Sequence, residues 1–129
     1  MRILDRLREP NPSKLIAVDL RPTPVAEEAD LHLAIKNGTN LVLLNTLVHE
    51  IIEGGWVDHE YVEANTIGFG ELQERNREFT PEWATEICVV RAEEIREAAS
   101  AIGESQRLLQ TVLQGVLPVS PGYGLGVPG

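Results

Sequence analysis

Leu15-Ile16-Ala17-Val18-Asp19 is a short apolar run closed by an acid, and Leu20-Arg21-Pro22-Thr23-Pro24 follows it as a rigid turn. A continuous apolar run without alternation suits a buried parallel strand. Beyond the turn, Val25 to Ala29 reads as one helical turn. Leu31, Leu33 and Ile35 then alternate with His32 and Ala34, the period expected of a half-exposed strand. Two strands separated by so short a helical link are the seed of an α/β layer.

Upstream, Ile3, Leu4 and Leu7 stand at helical spacing, so the chain is expected to begin inside a crossover helix whose preceding strand is missing. Glu9-Pro10-Asn11-Pro12-Ser13 is a loop. Downstream, Lys36-Asn37-Gly38 turns the chain, and Thr39 or Asn40 is placed to cap a helix. That helix is expected to run to Glu53, to bury Leu44, Leu47, Val48, Ile51 and Ile52, and to stop at Gly54-Gly55. Asp58 caps a short helix, with Val57 and Val62 at staple spacing. Gly70 to Phe79 reads as a further helix. Thr80-Pro81-Glu82 supplies an N-cap, a proline at the first helical position and an acid in the first turn. Ile95, Ala98, Ala99 and Ile102 mark one more helix, stopped by Gly103, and Leu108 to Gln114 is a last strand candidate. The predicted fold is α/β, a partial open parallel sheet with flanking helices. So thin a sheet leaves edges to cover, and these allow self-association.

The chain has 129 residues, 43% of them hydrophobic, which is enough for one domain with a real core. A formal net charge of -9 repels phosphate backbones and argues against nucleic acid as a partner. No apolar run approaches the roughly 18–20 residues a membrane span needs. Met1 to Glu9 is charged and carries no secretory core, so a cytoplasmic, reducing setting is the default expectation. The single cysteine, Cys88, excludes an internal disulfide and lies among Ile87, Val89 and Val90 as a small buried hydrophobe.

Few residues carry chemistry. Asp19 ends a strand, and ligands of open α/β sheets bind beyond the carboxyl ends of strands. An acid there can accept hydrogen bonds from ribose hydroxyls, and Arg21 can meet a phosphate through its planar fork. The alternative is that Asp19 caps the turn and Arg21 pairs with a carboxylate. No Gly-x-Gly-x-x-Gly precedes Asp19, so a complete dinucleotide fingerprint is absent. Gly38-Thr39-Asn40 opens a helix whose N–H groups favour anions, and the Asn40 amide can read a base edge. Plain helix capping is the alternative. His49, Glu50 and Glu53 share a helix face, with metal binding at i, i+4 set against an ordinary solvated face. His32 and His59 are isolated. Ser100, Ser105 and Ser120 fit no nucleophile pattern. Gly122-Tyr123-Gly124-Leu125-Gly126 is glycine-rich, but no helix follows to bind phosphate.

Taken together, these turns resemble a known order. Val18-Asp19-Leu20-Arg21-x-Thr23-x-x-Ala26-x-x-Ala29-Asp30 resembles the Val-Asp-Pro-Arg-x-Thr stretch of the molybdopterin oxidoreductases. Gly38-Thr39-Asn40 with Leu43-Leu44-Asn45 resembles their Gly-Thr-Asp/Asn helix start. Thr66-x-Gly68-Phe69, Thr80-Pro81-Glu82 and Ala92-Glu93-Glu94-Ile95-Arg96 fall in the same order. The likeness covers residues 1 to about 116. It implies a partial molybdopterin guanine dinucleotide-binding domain, from enzymes that hold molybdenum between two such dinucleotides. Asp19, Leu20, Arg21 and Thr23 would line the guanosine and phosphate end of one cofactor. Gly38, Thr39 and Asn40 would contact its guanine, and Gln114 would join the site. Leu20 stands where the family has proline, which loosens the turn. Asn40 stands where many members have Asp, keeping an acceptor without the charge.

Thr111-Val112-Leu113-Gln114-Gly115 resembles the assimilatory nitrate reductase branch, which implies a parent enzyme that reduces nitrate to nitrite. Residues 117–129 form a Gly/Pro-rich tail unlike the family. Codons for Leu117 to Gly129 can be chosen so that reading one nucleotide later yields Tyr-Gln-Ser-His-Gln-Ala-Thr-Ala-Trp-Ala-Cys-Gln, which is close to the nitrate reductase motif. A frameshifted, truncated chain is therefore expected, inactive alone and dependent on the missing domains of its parent. An iron–sulfur cluster and the protein ligand to molybdenum would belong to those domains, and Cys88 lies in the wrong part of the pattern to be that ligand. A formate dehydrogenase-type parent and a stand-alone nucleotide-binding or interaction module are the other readings.

Overall fold

The computed structural model describes residues 4–111. Its sheet is a parallel pair of strands: β1, Ile16–Val18, and β2, Leu31–Leu33. Ile16, Ala17 and Val18 stand opposite Leu31, His32 and Leu33. Between them runs α1, Pro24–Glu28, whose N-cap Thr23 accepts the Ala26 amide and whose first residue is proline. A parallel link has to carry the chain back along the sheet, and α1 does so while packing on both strands.

The second layer is helical, built by α2 (Asn40–Glu53), α5 (Pro81–Cys88) and α6 (Ala92–Gly103), which pack on one another. Between α2 and α5 in the chain lie α3 (His59–Asn65) and α4 (Phe69–Arg75), which bury no residue. A 3-10 turn, Asn76–Glu78, continues α4. Local chemistry accounts for several of the boundaries. Asp58 accepts the Tyr61 amide and Thr80 accepts the Trp83 amide, each closing the start of a helix. At the end of α2, Gly55 takes a left-handed φ of +74°, which side chains rarely tolerate.

The core joins the two layers. Leu31, Leu33 and Ile35 from the strand region meet Leu43 and Leu47 of α2, Ala84 and Cys88 of α5, and Ile95, Ala98 and Ala99 of α6. Ala98 and Ala99 lie on the buried face of α6, which packs against α2 and β2. Leu33 and Leu43 are fully buried, each contributing about 2 kcal/mol of transfer free energy.

Several sequence expectations are corrected. The opening segment is a 3-10 stretch, Leu4–Arg8, instead of a crossover helix. Pro10 and Pro12 forbid its extension. Arg6 instead anchors it, donating to the Ser13 carbonyl at 2.5 Å and the Glu28 carbonyl at 3.1 Å, and pairing with Asp30 at 3.3 Å. β1 is not a strand buried on both faces: Ile16 and Ala17 are half-buried and Val18 is exposed. β2 stops at Leu33, because β1 gives way to the turn after Val18 and, among the described residues, no partner strand continues beside Ala34 and Ile35. The buried face of α2 is Leu43, Thr46 and Leu47, with Leu44 and Ile51 only partly covered. α6 does end at Gly103, as expected. Residues 108–111 form no strand, and Leu108 and Leu109 are exposed without a β partner; the rest of that candidate, with Gln114, lies outside the described residues. The tail at 117–129 lies outside them as well.

Candidate functional site

Parallel strands send their carboxyl ends to the same side of a sheet. Both segments singled out from sequence therefore follow the strands at one edge of the sheet: Asp19 to Thr23 directly after β1, and Gly38 to Asn40 after β2.

Asp19 is held at three points. Its amide donates to the Leu33 carbonyl at 3.3 Å, which extends the ladder by one step. Its carbonyl lies 2.8 Å from His32 Nε2. A carbonyl only accepts, so Nε2 carries the hydrogen. Its carboxylate Oδ1 accepts the Arg21 amide at 3.0 Å, a side-chain turn in which aspartate closes the loop that follows it. Oδ2 has no partner among the described residues. The turn continues with the Thr23 amide donating to the Arg21 carbonyl at 2.9 Å, and Thr23 Oγ1 accepting the Ala26 amide at 3.2 Å. The turn-capping alternative thus holds for Asp19 Oδ1, and Thr23 caps α1. The ion-pair alternative for Arg21 does not hold: its exposed guanidinium meets no carboxylate among the described residues. Leu20 is exposed beside it, and the Asp19–Arg21 bond closes the turn that the absent proline would have stiffened.

The second segment starts from Gly38, which adopts a left-handed φ of +82° with open space where a Cβ would stand. Thr39 occupies the N-cap position of α2, yet its hydroxyl makes no cap bond. It turns back to the Lys36 carbonyl at 2.6 Å, and the residue is buried. The capping role expected of Thr39 is therefore not played by its side chain, and only its backbone can face the edge. Asn40 begins the helix and is half-buried. The loop is pinned from below by α5: the Lys36 amide donates to the Cys88 carbonyl at 2.9 Å. Burial pushes the Cys88 thiol above its usual range, as suits an interior hydrophobe.

The remaining polar candidates have other tasks. His49 is not on a solvated face. Its Nδ1 lies 2.7 Å from the carbonyl of buried Asn76, whose amide donates to the Asn45 carbonyl at 3.3 Å. Glu50 lies 3.9 Å from Arg96. Arg96 also binds Glu82, which holds that carboxyl below its ordinary range. His59 stacks edge-on against Phe69. Two surface hollows lie along α3 and α4, away from the strand edge, one lined by Asp58, Tyr61 and Asn65 and the other by Val62, Ile67 and Leu72. No group of three or more His, Cys, Asp or Glu side chains able to hold a metal occurs among the described residues, nor does a helix long and apolar enough to cross a membrane. His32 is the edge residue that sequence reasoning passed over. Its reach to Asp19 depends on the strand register, which no local signal reveals.

No family model matches the chain. Among curated proteins, it is 36% identical to an F420-dependent formate dehydrogenase subunit alpha of Methanocaldococcus jannaschii over 85% of this chain and 16% of that protein. It is 34% identical to a nitrate reductase of Synechocystis over 83% of this chain and 16% of that protein. Among solved structures, acetylene hydratase from Pelobacter acetylenicus superposes with a TM-score of 0.65 and 42% identity, over 67% of this chain and 12% of that one. The chain thus spans about an eighth to a sixth of the length of these proteins. A dehydrogenase, a reductase and a hydratase share the segment, so resemblance within it does not select a reaction.

Proposed function

The chain belongs to the molybdopterin oxidoreductase family, matching a short segment of its much longer members, and on that footing we propose that the carboxyl edge of β1 and β2 is part of the guanosine-binding wall for a molybdopterin guanine dinucleotide. The observation that carries this is the pairing, on one edge, of an aspartate with an uncommitted carboxylate oxygen and an arginine without an ion-pair partner among the described residues. The residues fit such a group chemically. Asp19 Oδ2 offers an acceptor to ribose hydroxyls, and Arg21 offers a planar fork to phosphate. The first turn of α2 presents N–H groups that Thr39 does not cap, and the Asn40 amide is suited to a base edge. Gly38 leaves space for close approach. Gln114 and the backbone of Thr39 complete the proposed set. When bound in the parent enzyme, the molybdenum–pterin group supplies the redox chemistry, while this segment binds and orients its nucleotide end.

The parent we propose is a nitrate reductase, a reading supported by the likeness of residues 111–115 to the assimilatory branch. In that reading the isolated chain is inactive, its partners are the remaining domains of the parent, and its setting is the cytoplasm. A formate dehydrogenase-type parent is the second reading, favoured by the 36% identity to the Methanocaldococcus protein. Assay of the intact parent for nitrate-dependent oxidation of a reduced dye, against formate-dependent reduction of one, separates the two. Sequencing the gene beyond the codon for Val116 tests the frameshift; a downstream region with no nitrate reductase-like frame excludes it.

Titration calorimetry of the full chain with GDP tests the site. Weak binding is expected, falling about tenfold in Asp19→Ala and in Asn40→Ala, as the loss of one charged or bidentate contact implies. Absence of binding overturns the site, and absence of binding together with a stable dimer favours an interaction module that self-associates through its sheet edges.

A further inference from the structure

His32 sits on β2 opposite Ala17, two residues before Asp19. Successive side chains on a strand alternate between faces, so Ala17 and Asp19 share the face on which His32 stands. Its ring reaches two register positions toward the carboxyl edge and donates Nε2–H to the Asp19 carbonyl at 2.8 Å. The ladder has just ended there: the bond from the Asp19 amide to Leu33 is a long one, at 3.3 Å. Beyond it the turn is held by the Asp19 and His32 side chains and by the Thr23 amide on the Arg21 carbonyl.

We infer that His32 is a positioning residue of the nucleotide edge, fixing the Asp19 peptide so that the carboxylate presents Oδ2 outward while Oδ1 holds Arg21. The inference rests on the reading of this edge as a nucleotide site. A carboxylate swings with its backbone. With the Asp19 carbonyl released, the peptide plane between Asp19 and Leu20 is free to rotate, and the Asp19–Arg21 turn loses its orientation relative to β2. Both proposed ligand groups, the carboxylate and the guanidinium, are carried on that turn. His32 is half-buried and packs no part of the main apolar cluster, so its contribution is directional more than volumetric. No ring nitrogen other than Nε2 is needed for the task, and an amide with a free N–H at similar reach can substitute.

GDP titration of the full chain and its His32→Leu and His32→Gln variants decides the matter, with melting temperature recorded in parallel. His32→Leu is expected to weaken GDP about fivefold, the value of one lost hydrogen bond, while His32→Gln restores most of it at an equal or lower melting temperature. Equal GDP affinity in wild type and His32→Leu overturns the inference and leaves the nucleotide edge standing. No binding by the wild type overturns both. Nitrogen-15 spectra of the wild-type imidazole provide a check that needs no variant to fold: the Nε2–H tautomer is expected, and the Nδ1–H tautomer overturns the inference outright.

Discussion

The Cys88 thiol donates to the Thr39 carbonyl at 3.7 Å, across 49 positions of sequence. The Cys88 carbonyl in turn accepts the Lys36 amide. The last residue of α5 therefore holds both ends of the loop that delivers Gly38 and Asn40 to the sheet edge. The position of that loop is set by the helical layer as much as by β2.

A thiol so placed is expected to be slow to react. An aromatic disulfide reagent at neutral pH should modify Cys88 on the order of a hundredfold more slowly in the folded chain than in urea, since a local opening cost of about 3 kcal/mol gives that factor. Burial raises the thiol in the folded state, so the unfolded chain loses its proton first. The stability from this group is complete below the unfolded value of about 8.5 and declines as pH rises through it. Denaturation midpoints between pH 7 and pH 10 should show this slope. Cys88→Ala should remove the slope while lowering stability at neutral pH by about 1 kcal/mol. A native chain modified as fast as the unfolded one contradicts the clasp.

Val89 closes α5 with a φ of +66°, a left-handed conformation that a β-branched residue adopts only under strain, and its side chain is 70% exposed. Little burial is at stake there. Val89→Gly should therefore stabilise the chain by about 1 kcal/mol in urea denaturation, even though glycine usually weakens folded structure through chain entropy. A loss of stability means that the left-handed cap is not formed in solution.

How legible these features were from sequence depended on how local their causes are. Thr80-Pro81-Glu82 and Asp58 announced helix starts because a cap is satisfied within three residues, and the structure forms both bonds. Gly54-Gly55 ended α2 for the same reason. The apolar run at Ile16–Val18 and the alternation at Leu31–Leu33 revealed two strands but not their parallel register, nor that β1 is half-exposed. Strand burial is set by neighbours distant in sequence. Leu108 to Thr111 has strand-like composition, yet with no partner beside it among the described residues it forms no ladder. In the site, Asp19 and Gly38 were visible through their positions at a strand end and a helix start. His32 and the inward turn of Thr39 were not, because both depend on contacts made across the sheet edge or back along the loop.

Gly103 ends α6, as its place in the sequence announced, but with a cause the sequence does not show: a Cβ there would fall within the indole of Trp56. Helix propensity alone favours Gly103→Ala by about 1 kcal/mol. Steric overlap with the inner ring atoms of Trp56 opposes it, and overpacking of this kind costs about 1–3 kcal/mol. The variant should be destabilised overall and its Trp56 fluorescence altered. The double variant Gly103→Ala, Trp56→Leu should recover the propensity gain relative to Trp56→Leu alone. If Gly103→Ala is stabilising in the wild-type background, the indole does not lie against α6.

Arg21 gives the sharpest separation between the two ends of the proposed ligand. Its guanidinium is exposed at the sheet edge and meets no carboxylate among the described residues, in a chain whose net charge is -9. A cation left uncompensated amid so many carboxylates is suited to an anionic guest. Arg21→Ala should weaken GDP about fivefold to tenfold, the value of an exposed charge-assisted contact, and leave guanosine unaffected. Arg21→Lys keeps the charge without the fork and should fall between. Added salt should narrow the difference between wild type and Arg21→Ala, because the contact is open to solvent. Equal losses for GDP and guanosine would mean that Arg21 acts through the turn it shares with Asp19, and no loss for either would remove it from the site.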